Sequence, residues 1–576
     1  MRWARKAIEP LVLLRSRKGA SFSSSDAGAR SKWIKVGSAS LGGIGTLALA
    51  WALTGDGDRQ RRLKLLWTVP LRLARDVATA SAIVAVDYKY SLWGLEEGSL
   101  EKTLAKHEVH LRCANRLQAL CFKNGGIYIK LGQHLGQLEY LIPPEYVKVM
   151  QDSLLDKCPV SSYERVCDVF KSELGRLPHE VFVEFDPEPF ASASLAQVHV
   201  AKTHDGKKVA VKVQHMHLTD SAAADTATVG FVVNLVYWLF PSFDYRWLLD
   251  EVKESLPKEL DFNNEIENAR MCMDNFKKLS PRIVPFISVP EVHLELSTSK
   301  LLTMEFIDGI KVTSVEGIKN LDLRPNDVAK LISEAFAHMI FRHGFVHCDP
   351  HAANLLVRVA PSGGGILGQR KRPQLVLLDH GMYKTLEPSI RAHYAGLWKA
   401  LVFADAQKIK EHSLGLGAGD LYVLFAGVLT MRPWSRVVES SIDHLNVPPS
   451  EEGREEIQMY ASQYVMELSE LLRRLPRVVL MLLKTNDCLR TVDRALFSIE
   501  IQGAPVNTYV IVGRESSRAL ARLQLREGGS NFWSYVSVLV QRLEVELRLL
   551  SLQVIAWVAL AWQKMNASRP LVIQQG

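Results

Sequence analysis

Residues 345–356 read Phe-Val-His-Cys-Asp-Pro-His-Ala-Ala-Asn-Leu-Leu, which sets His347 two positions before Asp349 and Asn354 five positions after it. A carboxylate at Asp349 can meet an attacking hydroxyl, and an amide oxygen at Asn354 can help hold a hard cation. Downstream, the apolar run 375–378 ends in Asp379-His380-Gly381, the pattern of a short buried strand delivering a carboxylate to a tight turn. Such a carboxylate suits Mg2+ bridging phosphates. Upstream, 208–214 alternates as a strand and carries Lys212, a cation for phosphate oxygens, with Glu265 as its partner from an intervening helix. A lone glutamate on a helix is by default part of a solvated face, and Glu265 escapes that default because a buried Lys212 needs a counter-charge. This set of residues describes phosphoryl transfer, in which a protein contributes positioning and charge more than covalent chemistry.

The order Lys212, Glu265, Asp349, Asn354, Asp379 is that of the protein kinases, whose catalytic loop is His-x-Asp-x-x-x-x-Asn and whose metal aspartate lies in Asp-Phe-Gly. Each motif is weak alone; the ordered set is strong. His347 and His351, four apart, offer a metal site as an alternative, but it leaves Asn354 and Asp379 unexplained, whereas in the kinase reading His347 braces the loop. The elements that must position these groups are a hairpin of 200–202 and 207–213 around the turn at Gly206, and a largely helical 251–268 supplying Glu259, Asp261 and Glu265. A strand from 301 runs through Glu305 into a hinge that meets an adenine, and an amphipathic helix over 328–342 feeds the catalytic loop. The predicted fold is α+β: a two-lobed kinase-like body, small lobe 161–310 and large lobe 311–545, the latter mostly helical. A helical extension over 65–160 precedes it, and a hydrophobic helix with a tail, 546–576, follows. The stretch 361–373, rich in glycine and basic residues, reads as a surface excursion.

A chain of 576 residues exceeds a single core, and 47% apolar with 23% charged residues is the composition of a folded protein. A net charge of +8 does not by itself point to nucleic acid, and none is expected as a partner. The seven cysteines form no Cys-x-x-Cys pair and are read as buried free thiols, Cys348 in the catalytic loop included. Residues 1–35 carry Arg2, Arg5, Arg15, Arg17 and Arg30 among other basic residues, a serine cluster, and only Glu9 and Asp26 as acids: the profile of an organellar transit peptide. The uncharged run 36–54 would span about 28 Å as a helix and predicts one membrane crossing. The second uncharged run, 549–562, is short for a span and predicts a buried or interfacial helix.

Four further motifs complete a pattern. Lys130-Leu-Gly132-Gln133 is a Lys-x-Gly-Gln signature, 189–199 holds the alanine-rich stretch Ala191-Ser192-Ala193-Ser194, Glu259-Leu-Asp261 is a Glu-x-Asp signature, and His347-Cys-Asp349-Pro-His351 is the loop already described. With these the chain resembles the UbiB or aarF-domain family of atypical protein-kinase-like proteins over about residues 100–500. The resemblance implies ATP or ADP with Mg2+ as cofactors, Asn354 and Asp379 as metal ligands, Lys212 and Glu265 beside the phosphates, and Asp349 orienting a water or acceptor hydroxyl. It implies that 191–194 forms the nucleotide loop and that Lys130, Gly132, Gln133, Glu259 and Asp261 gate the site where a peptide would otherwise lie. It further implies an ATPase or kinase-like activity in mitochondrial lipid or isoprenoid-quinone homeostasis, with membrane lipid, anionic lipid included, and lipid- or quinone-pathway proteins as partners. A plastid membrane is the alternative location; a true kinase and a nucleotide-binding pseudokinase scaffold are the alternative functions.

Chemistry supports the departure from ordinary kinases at 191–194. Glycines there let bare backbone wrap phosphates, whereas alanine and serine make positive φ costly and predict a stiffer loop. Two departures from the family pattern stand out: Ala352-Ala353 where Pro-Gly commonly precedes the asparagine, and His380 where the ubiquinone-linked branch carries phenylalanine. With Met382 and Tyr383 following, His380 looks like the branch linked with lipid homeostasis.

Overall fold

The computed structural model describes residue 79 and residues 83–567, apart from 97, 137–141, 155–157, 159, 217, 240–245, 362–370, 440–464, 498–504 and 528–531. The chain divides into two units, 1–76 and 77–576, and all described residues lie in the second. The expected transit segment 1–35 and membrane run 36–54 lie outside them, as does most of the excursion 361–373. Among the described residues no helix is long and apolar enough to cross a membrane.

The extension opens with α1 (Val84–Ser91) and α2 (Leu100–Asn124). Ser99 caps α2 by accepting the Lys102 N–H at 3.1 Å, and Gly125, at φ +68°, ends it at the glycine pair legible in the sequence. The chain turns directly into α3 (Gly126–Gly136), which carries the Lys-x-Gly-Gln motif, and then α4 (Pro144–Leu154) and α5 (Tyr163–Leu174).

The small lobe is a five-stranded sheet of β1 (Glu184–Phe185), β2 (Ala191–Ser192), β3 (Ala196–Lys202), β4 (Lys208–Gln214) and β6 (Leu301–Glu305), with β3–β4 the predicted hairpin. Val209, Val211 and Val213 of β4 are buried against Phe170, Val169 and Phe182, so the alternating pattern resolves into a core face and a face that presents Lys212. Between β4 and β6 run α6 (Leu218–Leu239), α7 (Arg246–Glu259) and α8 (Phe262–Leu279). The sequence suggested one helical stretch over 251–268; the structure breaks it after Glu259. Pro257 removes a donor from the last turn of α7, and Asp261 restarts the helix as N-cap of α8, accepting the Asn263 N–H at 3.0 Å.

The large lobe holds a four-stranded sheet of β5 (Ile287–Ser288), β10 (Pro373–Leu377), β9 (Leu355–Val359) and β7 (Ile310–Lys311), and a two-stranded sheet pairing β8 (Phe345–His347) with β11 (Tyr383–Thr385). The predicted helix before the catalytic loop is α9 (Pro325–Ala337), continued by a π-helical turn over His338–His343 and closed by Gly344 at φ +71°. Helices α10 (Pro388–Val402), α11 (Ala406–Gly415), α12 (Tyr422–Thr430), α13 (Val465–Arg474), α14 (Arg477–Phe497), α15 (Pro505–Glu527) and α16 (Phe532–Ala567) complete the lobe. Its largest core cluster joins Tyr394, Leu397, Phe425, Leu471 and Val479 to Val346 and Cys348, so the catalytic loop is anchored from beneath by helices. The outcome is the expected two-lobed α+β body with a helical extension.

Candidate phosphoryl-transfer site

Two strand pairs set the large-lobe side of the site. Tyr383 opposes His347 in the β8–β11 pair, and Leu377 opposes Leu355 in β9–β10, so the Asp349 loop and the Asp379 turn leave the same two ladders. The Leu378 N–H donates to the Asn354 carbonyl at 3.0 Å and locks the two segments together. Asn354 closes a short turn, Ala352–Asn354, and its Nδ2 donates to the main-chain oxygen of Asp349 at 3.1 Å and to Oδ2 at 3.4 Å. That contact leaves the Asn354 Oδ1 as the acceptor end of the amide.

From the small lobe, Lys212 Nζ lies 2.8 and 3.0 Å from the two Glu265 carboxylate oxygens and 3.6 Å from Asp379 Oδ2. Burial works against the Lys212 charge, but Asp379 and Glu265 outweigh it and hold the ammonium protonated above its usual range. Asp379 is likewise disfavoured by burial, yet Lys212, the Gly381 N–H at 2.9 Å and Lys130 keep its carboxyl below the usual range.

His380 explains why histidine suits the place of the kinase phenylalanine. Its main-chain N–H donates to Glu265 Oε1 at 3.4 Å, and Asn268 of α8 donates to its carbonyl at 2.9 Å. Burial drives its imidazole down to about 3, so the ring is neutral; Nε2 donates to the Leu377 carbonyl and Nδ1 accepts from the Tyr383 hydroxyl. It stacks with His347 and Tyr383 at ring-centre distances of 6.1 and 5.7 Å. His347, fully buried, accepts the Asp349 N–H at Nδ1, which is the bracing expected of it. His351 accepts the Ala353 N–H within its own turn, and among the described residues no three His, Cys, Asp or Glu side chains form a metal-binding group. Cys348 is fully buried and its thiol is pushed up to about 12 by burial, so it is no nucleophile; the seven cysteines are all free.

The gating residues separate. Lys130 of α3 forms an ion pair of 2.6 Å with Glu259, at the end of α7, and lies in the field of both Asp349 and Asp379. The extension therefore reaches the two candidate catalytic carboxylates. Gly132 is buried beneath it, and Gln133 Nε2 points at Cys158 Sγ, 3.9 Å away. Asp261 is half-buried, caps α8 and is not part of the Lys130–Glu259 pair. In the nucleotide loop, Ala191 and Ser192 pair with Val198 and Gln197, and the Ala193 N–H closes the turn on the Ala196 carbonyl at 2.7 Å. Ser194 is buried, and no residue from 191 to 194 takes a positive φ, as expected for a loop without glycine. The Glu305 N–H is bonded to the Glu291 carbonyl at 2.8 Å, and its carboxylate lies 3.8 Å from Arg358.

One residue escaped sequence reasoning. Lys484 of α14, 4% exposed, places Nζ 3.1 Å from Asp349 Oδ1. Burial pushes the Asp349 carboxyl up, and Lys484, Lys130, His351 and His347 together bring it far below the usual range. The signal lay in a lysine ending the apolar run 478–483, because a buried ammonium requires a counter-charge.

Comparison with known proteins gives the family. The model of the ABC1 atypical kinase-like domain matches residues 153–413. An ABC1 protein of Arabidopsis thaliana is 57% identical over 530 residues, covering 92% of this chain and 97% of that one. The chain belongs to the ABC1/AarF family. Its other relatives include AarF domain-containing protein kinase 1 of Xenopus tropicalis, 41% identical over 81% of this chain and 85% of its own length. The AarF domain-containing kinase 1 of Drosophila melanogaster is 36% identical over 79% and 84%. Among solved structures, a complex of Rv3197 with erythromycin from Mycobacterium tuberculosis overlays with a TM-score of 0.38 at 21% identity, over 69% of this chain and 98% of that one.

Proposed function

We propose that this ABC1/AarF protein is an atypical kinase-like ATPase that binds Mg-ATP and serves lipid or isoprenoid-quinone homeostasis at a mitochondrial membrane. The observation that carries the catalytic part is the convergence of Lys212, Glu265, Asp349, Asn354 and Asp379 from three ladders and one helix on one cleft. Two oxygen donors fit Mg2+: the Asn354 Oδ1, left as the acceptor end by the bonds of its amide nitrogen, and the carboxylate of Asp379, whose side chain is 41% exposed. When bound, the cation would neutralise charge on the phosphate oxygens. Lys212, oriented by Glu265, holds the α- and β-phosphate oxygens. Lys484 anchors Oδ1 of Asp349, and Oδ2, which meets the Asn354 amide at 3.4 Å, orients the attacking water or hydroxyl.

Water is favoured over a protein hydroxyl as acceptor because Lys130 ties the extension to Glu259 within the field of Asp349, where an extended peptide would need to enter. The membrane and mitochondrial parts rest on the basic, acid-poor residues 1–35, the uncharged run 36–54 and the Asp-His-Gly variant. The deciding measurement is phosphate release from Mg-ATP by the full chain, with Asp379→Asn as control. Turnover absent from the control supports the ATPase; nucleotide-dependent thermal stabilisation without turnover would assign the fold to a scaffold instead.

A further inference from the structure

After the Asp-His-Gly turn and β11 the chain enters a hairpin of α10 and α11, joined by residues 403–405, with Asp405 capping α11 through the Lys408 N–H at 3.1 Å. Both helices carry the same four-residue pattern, His393-Tyr-Ala-Gly396 on α10 and His412-Ser-Leu-Gly415 on α11. The antiparallel register sets each histidine against the glycine of the other helix. A Cβ added at Gly396 would fall on the His412 ring, and one at Gly415 on the His393 ring. Glycine at both places is therefore what lets the two imidazoles seat between the helices. Their Nδ1 atoms approach to 3.4 Å, with ring centres 5.7 Å apart and planes tilted by 59°.

Among the described residues neither ring has another hydrogen bond or an ion pair, and both are half-buried, within reach of solvent. A bond between the imidazoles needs one Nδ1 to donate and the other to accept, and 3.4 Å exceeds the roughly 3.2 Å that bounds a well-formed N–H bond. The separation suits a shared cation better. Zn–N bonds of about 2.0–2.1 Å at a tetrahedral angle hold two ligand nitrogens about 3.3–3.4 Å apart. Burial, opposed by Glu411 and Asp405 and reinforced by His393 and Lys408, keeps the His412 imidazole below its usual value, so the ring is neutral and its lone pair is available. Neutral imidazole suits Zn2+, Ni2+ or Cu2+, whereas Mg2+ prefers the oxygens of Asn354 and Asp379. Two protein ligands leave the remaining positions to water, which accords with the lack of a three-residue metal group among the described residues.

We propose that His393 and His412 form a two-histidine site for a transition-metal dication, with Zn2+ as the reference ion, that staples α10 to α11. The ligands stand 19 residues apart, so the ion closes a loop containing the whole turn of the hairpin. Tyr394, Ala395 and Leu397 of α10 belong to the core that holds Val346 and Cys348, so the staple steadies the helices beneath the catalytic loop. This goes beyond the phosphoryl-transfer reading: the site takes a different class of cation on nitrogen ligands, and it binds whether or not the cleft turns over ATP.

The test uses the full chain, stripped of metal and held in excess Mg2+, and titrates Zn2+ alone by calorimetry with the melting temperature as second readout. One saturable Zn2+ event with a rise in melting temperature supports the proposal. His393→Gln and His412→Gln each abolish both signals, and the double variant loses no more than either single one. Gly396→Ala keeps both ligands but drives the His412 ring from its seat, and it loses the signals as well. His412→Cys regains Zn2+ binding because a thiolate also ligates the ion, which a mere packing contact would not do. Asp379→Asn leaves the Zn2+ event unchanged and so separates this site from the cleft. Melting of the glutamine variants without metal, close to that of the parent, verifies their fold. A parent chain with no saturable Zn2+ event overturns the proposal. So does an event that persists undiminished in both glutamine variants, which would place the ion elsewhere.

Discussion

Two buried lysines face the cleft from opposite lobes, and they differ in how they are supported. Lys212 is held by both oxygens of Glu265, a side chain 6% exposed that otherwise accepts a long bond from the His380 N–H. Lys484 holds a single oxygen of Asp349, which also meets Asn354 and is 19% exposed. The first pair is structural and catalytic at once, because removing the cation strands a buried charge. The second bears on orientation more than on folding, since Asp349 retains other partners. Buried ion pairs of similar length therefore differ in what they contribute, and the number of alternative partners decides which.

Substitutions sharpen that contrast. Lys212→Met is expected to have the largest effect: turnover falls roughly 10²–10³-fold, and stability drops by about 3–5 kcal/mol, read from ATP hydrolysis and denaturant unfolding. A variant that keeps wild-type stability would show that Glu265 is satisfied some other way. Lys484→Met should lower kcat roughly 10–100-fold with KM for ATP unchanged, and Lys484→Arg should recover part of it. Because Lys484 acts through Asp349, adding it to Asp349→Asn should cause little further loss; additive losses would instead make it a packing residue.

A carboxylate with a hydroxyl in place of a lysine extends the series. Asp493 of α14 accepts from Thr508 at 2.9 Å and is pushed up by burial to about 7. Its folded value lies above the unfolded one, so the folded state keeps a proton that the unfolded chain releases, and stability should fall as pH rises from about 4 to about 7. Asp493→Asn should flatten that slope, by on the order of 4 kcal/mol across the window; parallel unfolding curves for the two proteins would refute it. The smallest effect belongs to Asp261: Asp261→Ala should cost about 1 kcal/mol as a lost cap. Asp261→Asn, a good cap, should restore stability, and a loss of turnover in that variant would return Asp261 to the catalytic machinery.

What was legible in the sequence follows the same division. Lys212, Asp349, Asn354 and Asp379 sit in short segments whose spacing and alternation are local, and the structure brings them together as read. Glu265 was legible only through the partner it serves. The break at Pro257 was missed because periodicity continues across it, and the role of Asp261 was blurred because a cap and a functional acid look alike in one dimension. Lys484 was invisible because its meaning depends on α14 packing beneath a loop more than a hundred residues earlier. The helix α16 was half visible: the lack of charge over 549–562 was plain, but which face the protein body leaves uncovered is a property of packing.

The Lys130–Glu259 and Lys484–Asp349 contacts also bear on where the working unit begins and ends. The segment matching the family domain, 153–413, contains every motif residue from the nucleotide loop to Asp379, yet excludes both lysines. A protein trimmed to those borders would inherit the recognisable sequence while surrendering two of the positive charges that flank its central aspartate. A piece that keeps both ion pairs is thus wider than the part that similarity highlights, and must reach from Lys130 to Lys484.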